Sequence, residues 1–410
     1  MKKEGKEFKS RFLSLNPGFQ YLADKDKYLF SFPEPKYRFN IIGAGLMGRE
    51  HMKITLLEGR GTIHGIYDTN NICIEKTKGE FSMLAPGRTL KIYDSLKDAC
   101  SDPDVDGLII STPNYTHIDV VREAAKSGKH ILLEKPMATT IPDAREIAEI
   151  AKTYKAVFQL GLQYRYKAIC VEAIHEALVR KSIGDIKTIN VLEQRIPFLD
   201  KVDQWNKFSK YSGGTLVEKC CHYFDLMNLF ARSRPKKVFA TGSMAVNFID
   251  FEYGGEKSDI IDNAYVTVIY ENGIRANFTL CMFSPMLYEE IILCGDEGRL
   301  LASENEDFLP LSPISRSKSR LEINCGELRP SKVSAPCYPA YIEGSGHNGA
   351  TYYEHVEFVD NIEGKETNAA TAEEGFWSIV VGAAAEESIK RGSVIDIDGL
   401  LNENVKENNI

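Results

Sequence analysis

A short apolar strand that runs into Gly-x-Gly-x-x-Gly constrains this chain more than any other feature. Phe39-Asn40-Ile41-Ile42 leads into Gly43-Ala44-Gly45-Leu46-Met47-Gly48, and Arg49 to Glu58 reads as a helix with Met52, Leu56 and Leu57 on one face. The three glycines have separate tasks: Gly43 makes the tight turn, Gly45 lets backbone approach a diphosphate, and Gly48 lets helix and strand pack closely. The diphosphate would rest on the helix N-terminus, where free N–H groups and the macrodipole favour an anion. A glycine-rich turn alone is a weak signal, and the alternative is a structural turn with an incidental acid nearby. The context favours the ligand. A second strand, Thr62 to Tyr67, ends in Asp68, twenty residues past Gly48, where a carboxylate would hold ribose hydroxyls. Asp68 repels a 2′-phosphate, and Thr69 and Asn70 supply no arginine to bind one, so NAD is expected over NADP.

The alternation continues. Asp106 to Thr112 is a near-continuous apolar strand, a helix runs from Thr116 to Ser127, and His130 to Glu134 is the next strand. A helix from Ile141 to Tyr154 and a strand from Ala156 to Leu160 follow. Such spacing predicts a doubly wound parallel α/β sheet, with ligands beyond the carboxyl ends of its strands. Ser111-Thr112-Pro113-Asn114 and Glu134-Lys135-Pro136 are strand-end segments of this kind.

A chain of 410 residues has room for more than this domain. Beyond it, a helix over Lys167 to Lys181 is followed by strands at 186–194, 237–241, 263–270, 274–282 and 288–293. Glu271-Asn272-Gly273 is a hairpin turn, and the set predicts an open, mostly antiparallel sheet. Residues 303–345 resist assignment, 352–362 and 372–391 read as helices, and 402–410 as a frayed end. A net charge of −8 argues against nucleic-acid or polybasic membrane binding. No apolar run is long enough for a membrane span, and the charged start has no secretory character. Nine cysteines without a Cys-x-x-Cys pair suggest reduced thiols in the cytoplasm and no metal site.

GAGLMG, then STPNYTH (Ser111 to His117), then EKP (Glu134 to Pro136) resembles the serial signature of the Gfo/Idh/MocA oxidoreductases (glucose–fructose oxidoreductase and inositol dehydrogenase). Ser212 to Asp225, SGGTLVEKCCHYFD, is similar to the family's Gly-Gly…Asp-x-x-x-His…Asp segment, and Gly346-His347-Asn348-Gly349 also fits. The likeness spans roughly residues 38–397. It implies a Rossmann domain over 38–160, a substrate and oligomerisation domain over 161–371, and a closing helix and tail over 372–410. It places Gly43, Gly45, Leu46, Met47, Gly48, Asp68, Ser111, Thr112, Asn114, His117, Glu134, Lys135 and Gln163 on the cofactor side. Lys135, Tyr164, Arg165, Trp205, His222 and His347 are then expected at the substrate. One position departs: where sugar-oxidising members usually carry Asp or Asn four residues before the histidine, this chain has Glu218. Family members also often have a cis bond at the Pro136 position.

Oxidising a secondary alcohol needs a fixed hydride acceptor, a base for the hydroxyl proton, and stabilisation of developing alkoxide charge. His222 titrates near neutrality and is the natural base. Glu218 stands four residues earlier and, if both are helical, shares its face and could orient the ring. Lys135 would reach the hydroxyl as a cation or proton relay. Each has a bland rival: His222 as a core histidine, Lys135 as a surface lysine, Asn114 as a helix cap, Trp205 as plain core, and Tyr164 and Arg165 as packing. The expected activity is NAD-dependent oxidation of a sugar, cyclitol or glycoside. Rivals are a redox-neutral glycoside-cleaving enzyme that retains NAD, and a non-catalytic NAD-binding regulator. Residues 1–37 hold eight aromatics, too many for a disordered tail, so a packed arm and a homo-oligomer are expected.

Overall fold

The computed structural model describes residues 34–307 and 318–407, so most of the expected N-terminal arm lies outside the described residues. Strands β1 (Tyr37–Ile42), β2 (Gly61–Tyr67), β3 (Lys91–Ile92), β4 (Gly107–Ile110), β5 (His130–Glu134) and β6 (Phe158–Gly161) make one parallel sheet in the order β3-β2-β1-β4-β5-β6. The four residues of β4 are all buried, as a strand covered by helices on both faces must be. The covering helices are α1 (Leu46–Glu58), α2 (Asn71–Leu84), α3 (Leu96–Ser101), α4 (His117–Ala124) and α5 (Ile141–Thr153). Asn70 caps α2 by accepting from the backbone of Ile72 and Cys73, Ser95 caps α3, and Thr140 caps α5. The order of strands reverses between β1 and β4, and the loops leaving that edge carry the candidate residues.

The second sheet has nine strands. These are β7 (Ile186–Gln194), β8 (Pro235–Ser243), β11 (Asn263–Tyr270), β12 (Arg275–Cys281), β13 (Met286–Gly295), β14 (Arg299–Asp307), β15 (Lys318–Asn324), β16 (Lys332–Ser334) and β17 (Ile395–Asp396). A separate two-residue pair, β9 (Glu252–Tyr253) and β10 (Glu256–Lys257), forms a small ribbon. In the large sheet only β7 and β12 run parallel; every other pairing is antiparallel, so the sheet is mixed. Its strands alternate in burial. Val238, Ala240, Val266, Val268, Phe278 and Leu293 face inward and are fully covered, whereas Phe239 and Tyr265 on the outer face are 44% and 60% exposed. Among the described residues the remaining α-helices are α6 (Ala168–Ile174), α7 (Ser209–Ser212), α8 (Thr215–Glu218), α9 (Cys221–Ala231), α10 (Ala340–Glu343), α11 (Ala350–Ile362), α12 (Ala372–Arg391) and α13 (Ile397–Glu407). The expected helix over 167–181 is α6 continued by a wider π-helical turn to Val179. The unassigned stretch 303–345 holds the end of β14, then β15, β16 and α10. Much of the tail read as frayed is helical, up to Glu407.

Two late helices return to the first sheet. Ile54 of α1 is buried with Ile342, Tyr352 and Val356, and Phe39 of β1 lies 5.6 Å from the Phe358 ring. Full burial of a side chain such as Phe358 contributes about 1.5–3 kcal/mol. Helix α12 begins with a capping box, Thr371 and Glu374 bonding reciprocally, and runs between α5, α9 and β8. The Leu160 amide donates to the Ala370 carbonyl at 2.9 Å.

Candidate active site

Gly43 has φ +94°, and a Cβ there would lie 2.7 Å from the backbone of Ser111 and Thr112. A Cβ on Gly48 would sit 2.1 Å from the Gly43 carbonyl oxygen, so strand and helix touch only because both positions are bare. Gly45 differs: a Cβ would meet nothing within 4 Å, and no side chain caps the α1 N-terminus behind it. That open cradle beside free N–H groups fits a dinucleotide diphosphate. Leu46 is exposed on its rim, with Met47 beside it. Asp68 stands at the end of β2, where its carboxylate accepts from the Ala44 and Asn70 amides, each at 2.7 Å. It lines a cavity of about 600 Å³ with Tyr67, Thr69, Ile74 and Tyr93, sized for an adenosine. Lys78, which sequence reasoning passed over, also lines it, tied to Glu75 at 2.8 Å.

Further along the same edge, two buried side chains have amide atoms without a partner. Asn114, after β4, is 5% exposed and its amide nitrogen has no partner; it caps no helix. Gln163, after β6, is 1% exposed with neither amide atom bonded. Buried amides without partners are costly unless a ligand satisfies them, and here they fit a nicotinamide ribose and carboxamide. Ser111 instead donates to the Gly43 carbonyl at 2.8 Å, and Thr112 accepts from Thr116. Both ring nitrogens of His117 lie against carbonyls, those of Pro136 and Thr112, so this histidine ties two strand-end loops together. Glu134 turns inward: one oxygen meets His51 at 2.7 Å and the other accepts the Lys135 amide at 2.9 Å. His51 in turn contacts His355 of α11 at 2.8 Å. This buried chain was not anticipated, because its members come from α1, β5 and α11.

Lys135 follows β5, with a cis bond to Pro136, and its ammonium donates to the Glu218 carbonyl at 3.1 Å. Burial opposes its charge, but the Glu218 carboxylate outweighs that and holds its pKa above the usual lysine value. Burial also opposes the Glu218 carboxylate, which Lys135, Lys201, Lys219 and Arg195 nevertheless pull down to about 2. His222 goes the other way. Burial, then the charges of Lys135 and Lys219, hold it well below the usual histidine range, so the ring is neutral. Its Nδ1 is buried without a partner. The imidazole lies flat on Tyr164, ring centroids 3.9 Å apart and 5° from parallel, and the Tyr164 hydroxyl accepts from Lys219 at 2.6 Å. Glu218 is not what orients it. The helix is interrupted after Glu218 and resumes at Cys221, and the carboxylate points to Lys201 at 3.5 Å.

The floor beneath Tyr164 is a row of glutamates. Glu193, Glu289 and Glu304 are directly opposite one another on β7, β13 and β14, all at inward positions and at most 3% exposed. Like charges in that register repel. Lys167 bonds both Glu289 and Glu304, the Tyr223 hydroxyl donates to Glu289 at 2.6 Å, and Lys219 pairs with Glu193 at 3.0 Å. The sequence carried a signal: each glutamate interrupts an alternation where an apolar side chain belongs. Arg165 is held by a buried bidentate pair with Asp225 and by Glu374 at 2.9 Å, which gives it a packing role. His347 bonds Glu50 of α1 at 2.7 Å, and Trp205 lies 6% exposed at the edge of the Tyr115 ring.

Residues 37–162 match the oxidoreductase-family NAD-binding Rossmann fold (GFO_IDH_MocA), and residues 175–397 match that family's C-terminal alpha/beta domain. Among curated proteins, the chain is 22% identical to the myo-inositol 2-dehydrogenase of Thermotoga maritima, covering 89% of this chain and 99% of that one. It is 25% identical to the inositol 2-dehydrogenase of Rhizobium meliloti over 88% and 99%. The match to the rhizopine catabolism protein MocA of Rhizobium meliloti, 26% identical, spans 49% of this chain and 59% of that protein. Levoglucosan dehydrogenase, solved with NADH, shares the fold at a TM-score of 0.72 and 17% identity, covering 88% of this chain and 99% of that one. With matched domains over most of its length, and a cradle, a strand-end lysine and a neutral histidine in family order, the chain belongs to the Gfo/Idh/MocA oxidoreductases.

Proposed function

We propose that this protein is an NAD-dependent dehydrogenase that oxidises a secondary hydroxyl of a sugar, cyclitol or glycoside. The observation that carries the reading is the neutral His222, with an unpartnered Nδ1, held beside the Lys135 ammonium. Bound NAD supplies the hydride acceptor. The neutral imidazole of His222 takes the hydroxyl proton, and Tyr164 keeps the ring plane fixed while it does so. Lys135 stabilises the oxygen as it gains negative charge, a task for a cation in a site shielded from water. Glu218 acts through others, keeping Lys135 charged and placed. Asn114 and Gln163 hold the nicotinamide end, and the cradle at Gly45 with Asp68 holds the rest. Relatives named as inositol dehydrogenases and 1,5-anhydro-D-fructose reductase support a polyhydroxylated substrate.

The test is NADH absorbance over a panel of polyols, sugars and glycosides, with His222→Asn and Lys135→Met alongside. Each variant should lose about 10²–10⁴-fold in turnover while still binding NAD, as loss of a proton-transfer group does. Nearly full turnover in either variant removes that residue from its role. Substrate consumption with no net NADH would point to the redox-neutral reading instead.

A further inference from the structure

The site does not end at His222. The Lys201 ammonium that reaches Glu218 at 3.5 Å also lies 4.8 Å from the centre of the Trp205 ring. Tyr115, immediately after Asn114, meets the edge of Trp205 at 6.3 Å and packs 5.0 Å from Tyr211 of α7. A continuous line of side chains therefore leads from the reacting end to three aromatic rings. Trp205 is buried behind, but Tyr115 and Tyr211 are 42% and 37% exposed. The loop that presents Trp205 is held in an uncommon conformation, with Asp203 and Gln204 both left-handed at φ 54° and 53°. Non-glycine residues in that region are strained and collect where geometry serves a ligand. Large aromatic side chains left exposed side by side, in line with Lys201 and Glu218, mark a binding surface.

We propose that Tyr115 and Tyr211, backed by Trp205, form a stacking platform for a second ring of the substrate, which makes the substrate a glycoside rather than a free sugar or cyclitol. The proposal rests on the dehydrogenase reading of Lys135 and His222. A pyranose ring presents a flat face of C–H groups ringed by hydroxyls. Aromatic faces bury such a surface, and Lys201 can donate to a hydroxyl or to the glycosidic oxygen at the joint. A one-ring polyol at Lys135 would leave both tyrosines without a task. The second ring can be another sugar or an aromatic aglycone, since both offer a flat apolar face.

The experiment compares glucose, galactose and mannose as free sugars, as β-linked disaccharides and as phenyl glycosides, with myo-inositol as a further one-ring probe. NADH formation is measured for the wild type, the double variant Tyr115→Ala/Tyr211→Ala, and Tyr115→Phe/Tyr211→Phe. Binding to the NAD-loaded protein is followed in parallel through Trp205 fluorescence in a Trp377→Phe background. At least one two-ring compound should exceed its matching free sugar by tenfold or more in kcat/KM. That ratio should fall towards one in the alanine variant and survive in the phenylalanine variant, because stacking needs the ring and not the hydroxyl. Free sugars or inositol turned over as well as any glycoside, or a preference that survives the alanines, overturns the proposal. So does an alanine variant that changes only the particle mass in light scattering, which would make the platform a contact between copies. Glycoside binding that needs both rings but yields no NADH keeps the platform and refutes the dehydrogenase reading; no binding and no preference refutes the platform.

Discussion

His222 shows how an environment sets a single group's chemistry. An imidazole in water titrates near 6.5, but here burial and the neighbouring cations favour the neutral ring. The acidic limb of kcat/KM should therefore lie well below pH 6.5, with the profile flat from pH 8 down past 6. A limb at 6.5 would mean that some other, solvated group takes the proton. The same shift makes the fold pH-sensitive: the unfolded chain protonates this histidine first, so its contribution to stability is present above about 6.5 and declines as pH falls. Glu218, depressed to about 2, contributes stability above the unfolded carboxylate value and loses it as pH falls towards 2. Glu218→Gln should lower activity less than His222→Asn does, yet destabilise the fold by about 3–5 kcal/mol, because it strands buried cations. Urea unfolding and steady-state kinetics on the two variants separate these effects; equal loss of activity would make Glu218 the proton acceptor. These residues were visible in the sequence as types at a spacing. Their partners were not. The four-residue interval implied a helical face shared by Glu218 and His222, and the break at Lys219-Cys220 sent the carboxylate to Lys201 instead.

At the scale of elements, the first half was legible because its signals are local. A tight turn needs glycine, a doubly covered strand needs an unbroken apolar run, and both appear within a few adjacent residues. Gly48→Ala should therefore abolish NAD binding, since the added methyl meets the Gly43 carbonyl at 2.1 Å; isothermal titration with NAD measures this directly. The second half hid its most telling feature in register, which no single strand reveals. Glu193, Glu289 and Glu304 become neighbours only when β7, β13 and β14 pair. Lys167 neutralises two of them, so Lys167→Met should cost about 3–5 kcal/mol, the range for an uncompensated buried charge. A urea midpoint unchanged from the wild type would show that those carboxylates carry protons instead. Residues 303–345 went unassigned for a related reason. Their strands are polar on the outer side, and only β13 shows which side is inner.

For the whole molecule, the outer face of the nine-stranded sheet exposes Phe239 and Tyr265 on neighbouring strands. Around these two rings the face carries Thr241, Thr267, Asn277 and Thr279, and we expect a second copy to cover the rings. Phe239→Lys with Tyr265→Lys should reduce the particle to a monomer in light scattering while leaving NAD binding intact; a wild-type monomer would refute this. The return of late segments to the first sheet has a different consequence. Phe358 closes the layer over Phe39, Tyr352 and Val356 seal Ile54, and the Ala370 carbonyl extends the hydrogen bonding of β6. The dinucleotide half is thus finished by residues synthesised some two hundred positions later. On the ribosome it must wait, half-dressed, until α11 and the start of α12 have emerged. In evolution and in the laboratory it is not a cassette: exchanging cofactor preference by grafting residues 37–162 from a relative would deliver a domain cut for someone else's α11 and α12.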